Sequence, residues 1–85
     1  MKTFIVTGAS KGIGAAVVRS LRARGCRVVG IARSEDKLKA LAAEKISGHF
    51  EYVAGDICCD KVLDDAVRLA VGTSNSLDGL VLNAG

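Results

Sequence analysis

The segment Thr7-Gly8-Ala9-Ser10-Lys11-Gly12-Ile13-Gly14 packs three glycines between a short β-branched run and an amphipathic stretch. Glycine reaches positive φ without steric penalty and lets two backbones approach closely, so a chain of this kind leaves a buried strand, turns sharply and enters a helix. Residues 3–7 (TFIVT) are the strand. From Ile13 the apolar residues recur as Ile13, Val17 and Leu21, flanked by Ala16 and Val18. That spacing predicts a helix with Gly25 as its stop, after Arg19, Arg22 and Arg24.

The same alternation continues to the end. Residues 27–32 (RVVGIA) read as a second strand, and 35–46 as a second helix with Leu38, Leu41 and Ala42 at helical spacing, ended by Gly48. Residues 50–54 form a third strand, Asp60 to about Val71 a third helix with Asp60 as N-cap, and 79–82 a fourth strand. Thr73 to Ser76 reads as a turn. Strands alternating with helices through short connections imply right-handed crossovers and a parallel sheet covered on both faces. The expected fold class is therefore α/β: the N-terminal half of a Rossmann-like, doubly wound parallel sheet, with residues 1–85 forming one domain truncated after its fourth strand.

Bulk properties narrow the function classes. Eighty-five residues suffice for one small domain, and a core this size is marginal when alone. The net charge of +3 is spread along the chain, and Phe4, Phe50 and Tyr52 are too few to form a stacking platform, so nucleic acid is not the expected partner. The basic residues late in the first helix have a dipole explanation. Cys26, Cys58 and Cys59 make no CxxC pair, and their odd number argues for reduced, mostly packed thiols rather than a disulfide framework. Adjacent cysteines far in sequence from His49 do not suit a zinc site, so no metal is expected. No stretch approaches the ~20 apolar residues of a membrane span, and the apolar start is interrupted too early for a signal peptide, so no membrane partner is expected and the compartment is read as the cytoplasm.

Ligands of open parallel sheets bind at the C-terminal ends of the strands, where the informative residues fall. The glycine-rich turn brings backbone N–H groups and a helix N-terminus to one place, which suits a pyrophosphate; its alternative is a turn with packing roles only. An NTPase phosphate loop is excluded, because Lys11 precedes Gly12 and Ile13 follows it, where GxxxxGK with Ser or Thr is required. The second strand ends in Ala32, Arg33 and Ser34, without the acid that would accept from the ribose hydroxyls of NAD.

The pattern TGxxxGxG, with Asp56 after the third strand and Asn83-Ala84-Gly85 after the fourth, resembles the short-chain dehydrogenase/reductase family over the whole chain. The resemblance implies a cofactor site made by Thr7, Gly8, Ser10, Lys11, Gly12, Ile13 and Gly14 at the pyrophosphate, with Asp56 and Ile57 at the adenine. Asn83 would steady the sheet, with Ala84 and Gly85 along the ribose. Similar basic residues in NADPH-preferring members imply that Arg33 and Lys11, next to Ser34, meet the 2′-phosphate, making NADP (NADPH) the cofactor. Plainer alternatives stay open: two solvated cations, a turn residue at Asp56 and an asparagine-glycine turn at Asn83. Because adenine is common to both cofactors, Asp56 is expected to serve them equally.

Within the family, ARSEDKLKAL followed by FEYVAGDI is similar to fungal benzil-reductase and sepiapterin-reductase-like enzymes, which implies reduction of a ketone or diketone carbonyl. The family's Tyr-x-x-x-Lys pair and its catalytic Ser and Asn have no counterpart here, and Tyr52 cannot serve, because residue 56 is Asp56 rather than Lys. No catalytic residue is therefore assigned. The expectation is an NADP-dependent oxidoreductase whose 85 residues alone bind without turnover, with a small-molecule carbonyl substrate in the full-length protein. A non-catalytic dinucleotide-binding or interaction module is the runner-up. A methyltransferase using S-adenosylmethionine is disfavoured by Ala32 and Arg33 where that class carries an acid. Substrate identity is not legible, and assembly as a homo-oligomer is left open.

Overall fold

The computed structural model describes residues 2–10, 12–56, 58–74 and 77–83, with 73 and 74 described by backbone alone. Its elements are β1 (Thr3–Thr7), α1 (Gly12–Ala23), β2 (Arg27–Ala32), α2 (Glu35–Ala42), β3 (His49–Ala54), α3 (Asp60–Ser74) and β4 (Gly79–Val81). The strands form one parallel sheet in the order β3-β2-β1-β4. The sequence order leaves β1 outward to β2 and β3, then returns to the other side of β1 for β4. That reversal is the Rossmann-like arrangement expected from the alternation, and it puts a crevice at the C-terminal end of β1.

Each face of the sheet carries its own core. Val6, Val28 and Ala32 point to one face, where Ala15 and Val18 of α1 and Leu38 and Leu41 of α2 cover them. Ile5, Val29 and Ile31 point to the other, beneath Ala66 and Ala70 of α3. Neighbouring residues on a strand point to opposite faces, so β2 must be apolar from Val28 to Ala32 to fill both layers, and all six of its residues, Arg27 included, are buried.

Arg27, the first residue of β2, keeps its aliphatic stem in this environment. Its guanidinium reaches the Ala70 carbonyl at 3.2 Å and the Glu51 carboxylate at 2.5 Å. At the same end Asp78 and Thr3 exchange 2.8 Å hydrogen bonds, Thr3 N–H to the carboxylate and Asp78 N–H to the Thr3 carbonyl, which sets where β4 begins.

Several local expectations are corrected. The buried face of α1 is Gly14, Ala15, Val18 and Arg22, whereas Ile13 is 74% exposed. Close packing of Gly14 on the preceding turn rotates the helix, so Val17 and Leu21 lie at the flank of the core.

Helix α2 ends at Ala42 rather than 46. There Arg22 adds a charged donor to the last turn and to the chain just past it, Nη1 donating to Leu41 O at 3.0 Å and Nη2 to Glu44 O at 3.3 Å. Arg22, expected to complement the dipole at the end of its own helix, instead reaches the C-terminus of the neighbouring helix from a buried position, over the Phe50 ring at 5.6 Å.

Asp60 is the first residue of α3 rather than its N-cap, because the Cys59 carbonyl accepts the first helical N–H bonds, from Val62 and Leu63. The helix runs on through Ser74, so residues 73 and 74, expected in a turn, are helical; the remainder of that expected turn, 75 and 76, lies outside the described residues. Of the thiols only Cys26 is packed. Cys58 and Cys59 are exposed in the turn before α3. The glycine stop at Gly25 holds: its N–H bonds Arg22 O at 2.9 Å and Cys26 N–H bonds Leu21 O at 3.1 Å, the paired pattern of a helix ending in a left-handed residue.

Candidate functional site

The C-terminal ends of all four strands are tied into one continuous edge. Ala9 N–H, in the turn after β1, donates to Ile31 O of β2 at 3.2 Å, and Gly55 N–H after β3 donates to Ala32 O at 2.8 Å. On the other side Asn83 N–H donates to Thr7 Oγ1 at 2.9 Å, and Asn83 Nδ2 donates to Gly8 O at 3.4 Å. The Thr7 hydroxyl lies 3.4 Å from both the Val81 and Asn83 carbonyls, to which its single proton can be donated. Asn83 therefore locks the end of β4 to the end of β1. Thr7, Gly8, Arg33, Asp56 and Asn83 are thereby brought to one edge, while Lys11, Ile57, Ala84 and Gly85 lie outside the described residues.

The turn between β1 and α1 has the backbone that an anion cradle requires. Gly8 and Gly12 hold φ of 62° and 60°, a region L side chains rarely adopt, and a Cβ on Gly12 would meet nothing within 4 Å. Gly14 is the opposite case: its Cβ would fall 1.9 Å from the Gly8 oxygen and 2.9 Å from Asn83 Nδ2. Only a glycine lets the first turn of α1 sit this close to the end of β1.

The helix N-termini differ in charge. Helix α2 carries Glu35 and Asp36 in its first turn and accepts Ser34 as N-cap, whose Oγ takes the Lys37 N–H at 3.4 Å. Helix α3 carries Asp60. Helix α1 has no acid in its first turn, so its positive end is not offset by its own side chains. Ser10 is half-buried in the same turn, and Ile13 is exposed beside it. A dinucleotide fits this donor set: open backbone at Gly12, an uncompensated helix N-terminus and a cation at the next strand end.

That cation is Arg33, and its partner was not foreseen. Nη2 of Arg33 lies 3.2 Å from Oδ2 of Asp56, pairing the end of β2 with the end of β3, while 81% of the Arg33 side chain stays exposed. Oδ1 of Asp56 accepts the Cys58 N–H at 2.9 Å, so one carboxylate both shapes the turn before α3 and holds the guanidinium. Cys58 N–H first, and Arg33 second, keep the Asp56 carboxyl below its ordinary pKa. The signal was available in principle, since adjacent parallel strands lie about 4.8 Å apart and residues just past their ends are within side-chain reach. Among the described residues no three His, Cys, Asp or Glu side chains cluster to hold a metal, and no helix is long and apolar enough to cross a membrane.

This parallel sheet, with its glycine turn at the reversal of strand order, is that of a Rossmann-like α/β protein. More narrowly, the chain belongs to the short chain dehydrogenase family, which it matches over residues 2–85. It is 45% identical over 86 aligned positions to an uncharacterized oxidoreductase of Saccharomyces cerevisiae, covering 99% of this chain and 34% of the relative. It is 38% identical to a 1,2-dihydroxy-1,2-dihydronaphthalene dehydrogenase of a Ralstonia species, over 94% of this chain and 30% of that protein. Among solved structures, L-sorbose reductase of Gluconobacter frateurii, complexed with NADPH and L-sorbose, superimposes with a TM-score of 0.87 at 32% identity. That match covers 99% of this chain and 33% of the reductase. The chain thus spans about a third of the length of these relatives.

Proposed function

We propose that this chain is the NADPH-binding portion of a reductase that, in its full-length form, transfers hydride to a ketone or diketone carbonyl. The observation that carries the reading is the second strand end, where Ala32 is followed by an exposed Arg33 and no acid stands to receive the ribose hydroxyls. An NADPH complex in the L-sorbose reductase that the chain resembles supports the same cofactor.

In this reading the backbone of Gly8 to Gly14 and the N-terminus of α1 bind the pyrophosphate, Asp56 accepts from the adenine amine, and Arg33 with Lys11 meets the 2′-phosphate. Ile57 adds backbone at the adenine, Ser10 and Ser34 add hydroxyls, and Ala84 and Gly85 follow Asn83 along the ribose. The dinucleotide supplies the hydride. Thr7 and Asn83 hold the strand ends so that the bound molecule meets a rigid edge. The protein is read as cytoplasmic, with a small-molecule carbonyl substrate.

The test is the dissociation constant of each cofactor for the natural full-length protein and its Arg33→Ala, Lys11→Ala and Ala32→Asp variants at fixed ionic strength. A hydrogen bond to a charged group contributes about 1.5–3 kcal/mol, so Arg33→Ala should weaken NADPH roughly 10- to 100-fold and leave NADH nearly unchanged. Ala32→Asp should favour NADH, because a carboxylate there accepts from the ribose hydroxyls and repels the phosphate. Equal losses for both cofactors in Arg33→Ala would remove the basis for NADPH.

A further inference from the structure

The two side chains assigned to opposite ends of the adenosine moiety are bonded to each other. Arg33 Nη2 donates to Asp56 Oδ2 at 3.2 Å. A 2′-phosphate arriving at Arg33 therefore meets a guanidinium already neutralised by a carboxylate, whereas NADH brings no second anion to this pair. We propose that Asp56 is a specificity-determining residue that acts through Arg33, restraining the preference for the phosphorylated cofactor. This rests on the cofactor reading above and departs from the expectation that an adenine contact treats both cofactors alike.

The chemistry has two parts of the same sign. First, Arg33 has five N–H donors in a rigid plane, and Asp56 engages one nitrogen from the side, so the phosphate can share the guanidinium only by approaching a second anion. Second, whatever attraction Arg33 gains from Asp56 in the free protein is attraction the phosphate must compete with. The opposing effect is that Asp56 limits the wandering of a side chain that is 81% exposed. Exposed ion pairs hold such side chains weakly, so this ordering is the smaller contribution. The Asp56 carboxylate is itself bonded to the Cys58 N–H at 2.9 Å, which favours its staying beside the guanidinium when the phosphate arrives.

Asp56→Asn separates the roles. The amide oxygen still accepts from the adenine amine and from Cys58 N–H, so the turn and the adenine contact remain while the charge on Arg33 is removed. Dissociation constants of NADPH and NADH, measured by calorimetry on the full-length protein, should show the ratio moving toward NADPH by about 3- to 10-fold. Asp56→Glu, which restores the anion, should return the ratio toward wild type. In an Arg33→Ala background most of the Asp56→Asn shift should vanish, because the two residues act as a pair.

A ratio that is unchanged or moves toward NADH in Asp56→Asn overturns the proposal, as does equal weakening of both cofactors, which is the mark of a purely structural role. A wild-type protein with no preference that Arg33→Ala can alter brings down the cofactor reading itself. That result is visible without any Asp56 variant, so the two failures are distinct.

Discussion

A Cβ on Gly14 would stand 1.9 Å from the carbonyl oxygen of Gly8, so the start of α1 and the end of β1 touch backbone to backbone. The contact explains why the helix buries Ala15 and Val18 and leaves Ile13 exposed. It also fixes how near the helix N-terminus comes to the strand ends.

Gly14→Ala is therefore expected to lower stability by about 1–3 kcal/mol, since neither backbone can yield without moving an element. Gly12→Ala meets no neighbour within 4 Å and suffers only the left-handed φ of 60°, a cost of roughly 1–2 kcal/mol. Urea unfolding of the two variants measures the contrast, the midpoint falling further in Gly14→Ala. A Gly14→Ala protein as stable as wild type would show that the helix start can slide.

Arg22 should be sensitive to substitution, because it is buried and donates to two carbonyls. Arg22→Ala removes the charged donor from the Leu41 and Glu44 carbonyls, which keep only backbone N–H partners, and removes the charge over Phe50, for a loss of about 1–3 kcal/mol. Arg22→Lys should recover only part, because one ammonium cannot reproduce a planar fork reaching two carbonyls. Thermal unfolding of both variants measures the difference, and a silent Arg22→Ala would contradict the geometry.

Acid should weaken the fold through Asp56 and Glu44. Asp56 is held below its ordinary value of 3.8 by Cys58 N–H and Arg33, and Glu44 below 4.5 by the hydrogen bond and charge of Arg19. A carboxyl with a depressed folded pKa contributes stability that is fully present above its unfolded value and is lost as pH falls through the folded one. Denaturation midpoints should thus be flat above about pH 5 for these two groups and decline below it. Asp56→Asn and Glu44→Gln should each reduce that decline. Both groups are partly exposed and Arg19 is open to solvent, so added salt should shrink the Arg19–Glu44 part of the effect.

Thiol labelling should resolve the cysteines into two classes. Cys58 and Cys59 are exposed and should react with an aromatic disulfide reagent in the folded protein, while the 8%-exposed Cys26 should react only on unfolding. Bound dinucleotide should slow Cys58, whose N–H is bonded to the Asp56 carboxylate. Three equivalent thiols would show that the region around Cys26 opens readily.

The fold was largely legible because its signals are local. The β-branched runs at 3–7 and 27–32, each buried on both faces, have a composition and length that suit few other elements. Glycines at 8, 12 and 25 mark positions that the backbone itself requires. Helix ends were less legible, because α2 stops where a side chain from another helix donates to its last turn, and α3 starts where Asp56, four residues earlier, organises the turn.

The same division holds at the site. Sequence order alone placed Thr7, Gly8, Arg33, Asp56 and Asn83 at strand ends, since alternation with right-handed crossovers puts every strand's C-terminus on one edge. It could not decide which of these side chains touch. Arg33 pairs with Asp56 and Asn83 with Thr7 because the strand order is β3-β2-β1-β4, which makes neighbours of residues 23 and 76 positions apart in the chain. Hydrogen bonds and ion pairs act over a few ångströms, and only the tertiary packing sets distances on that scale.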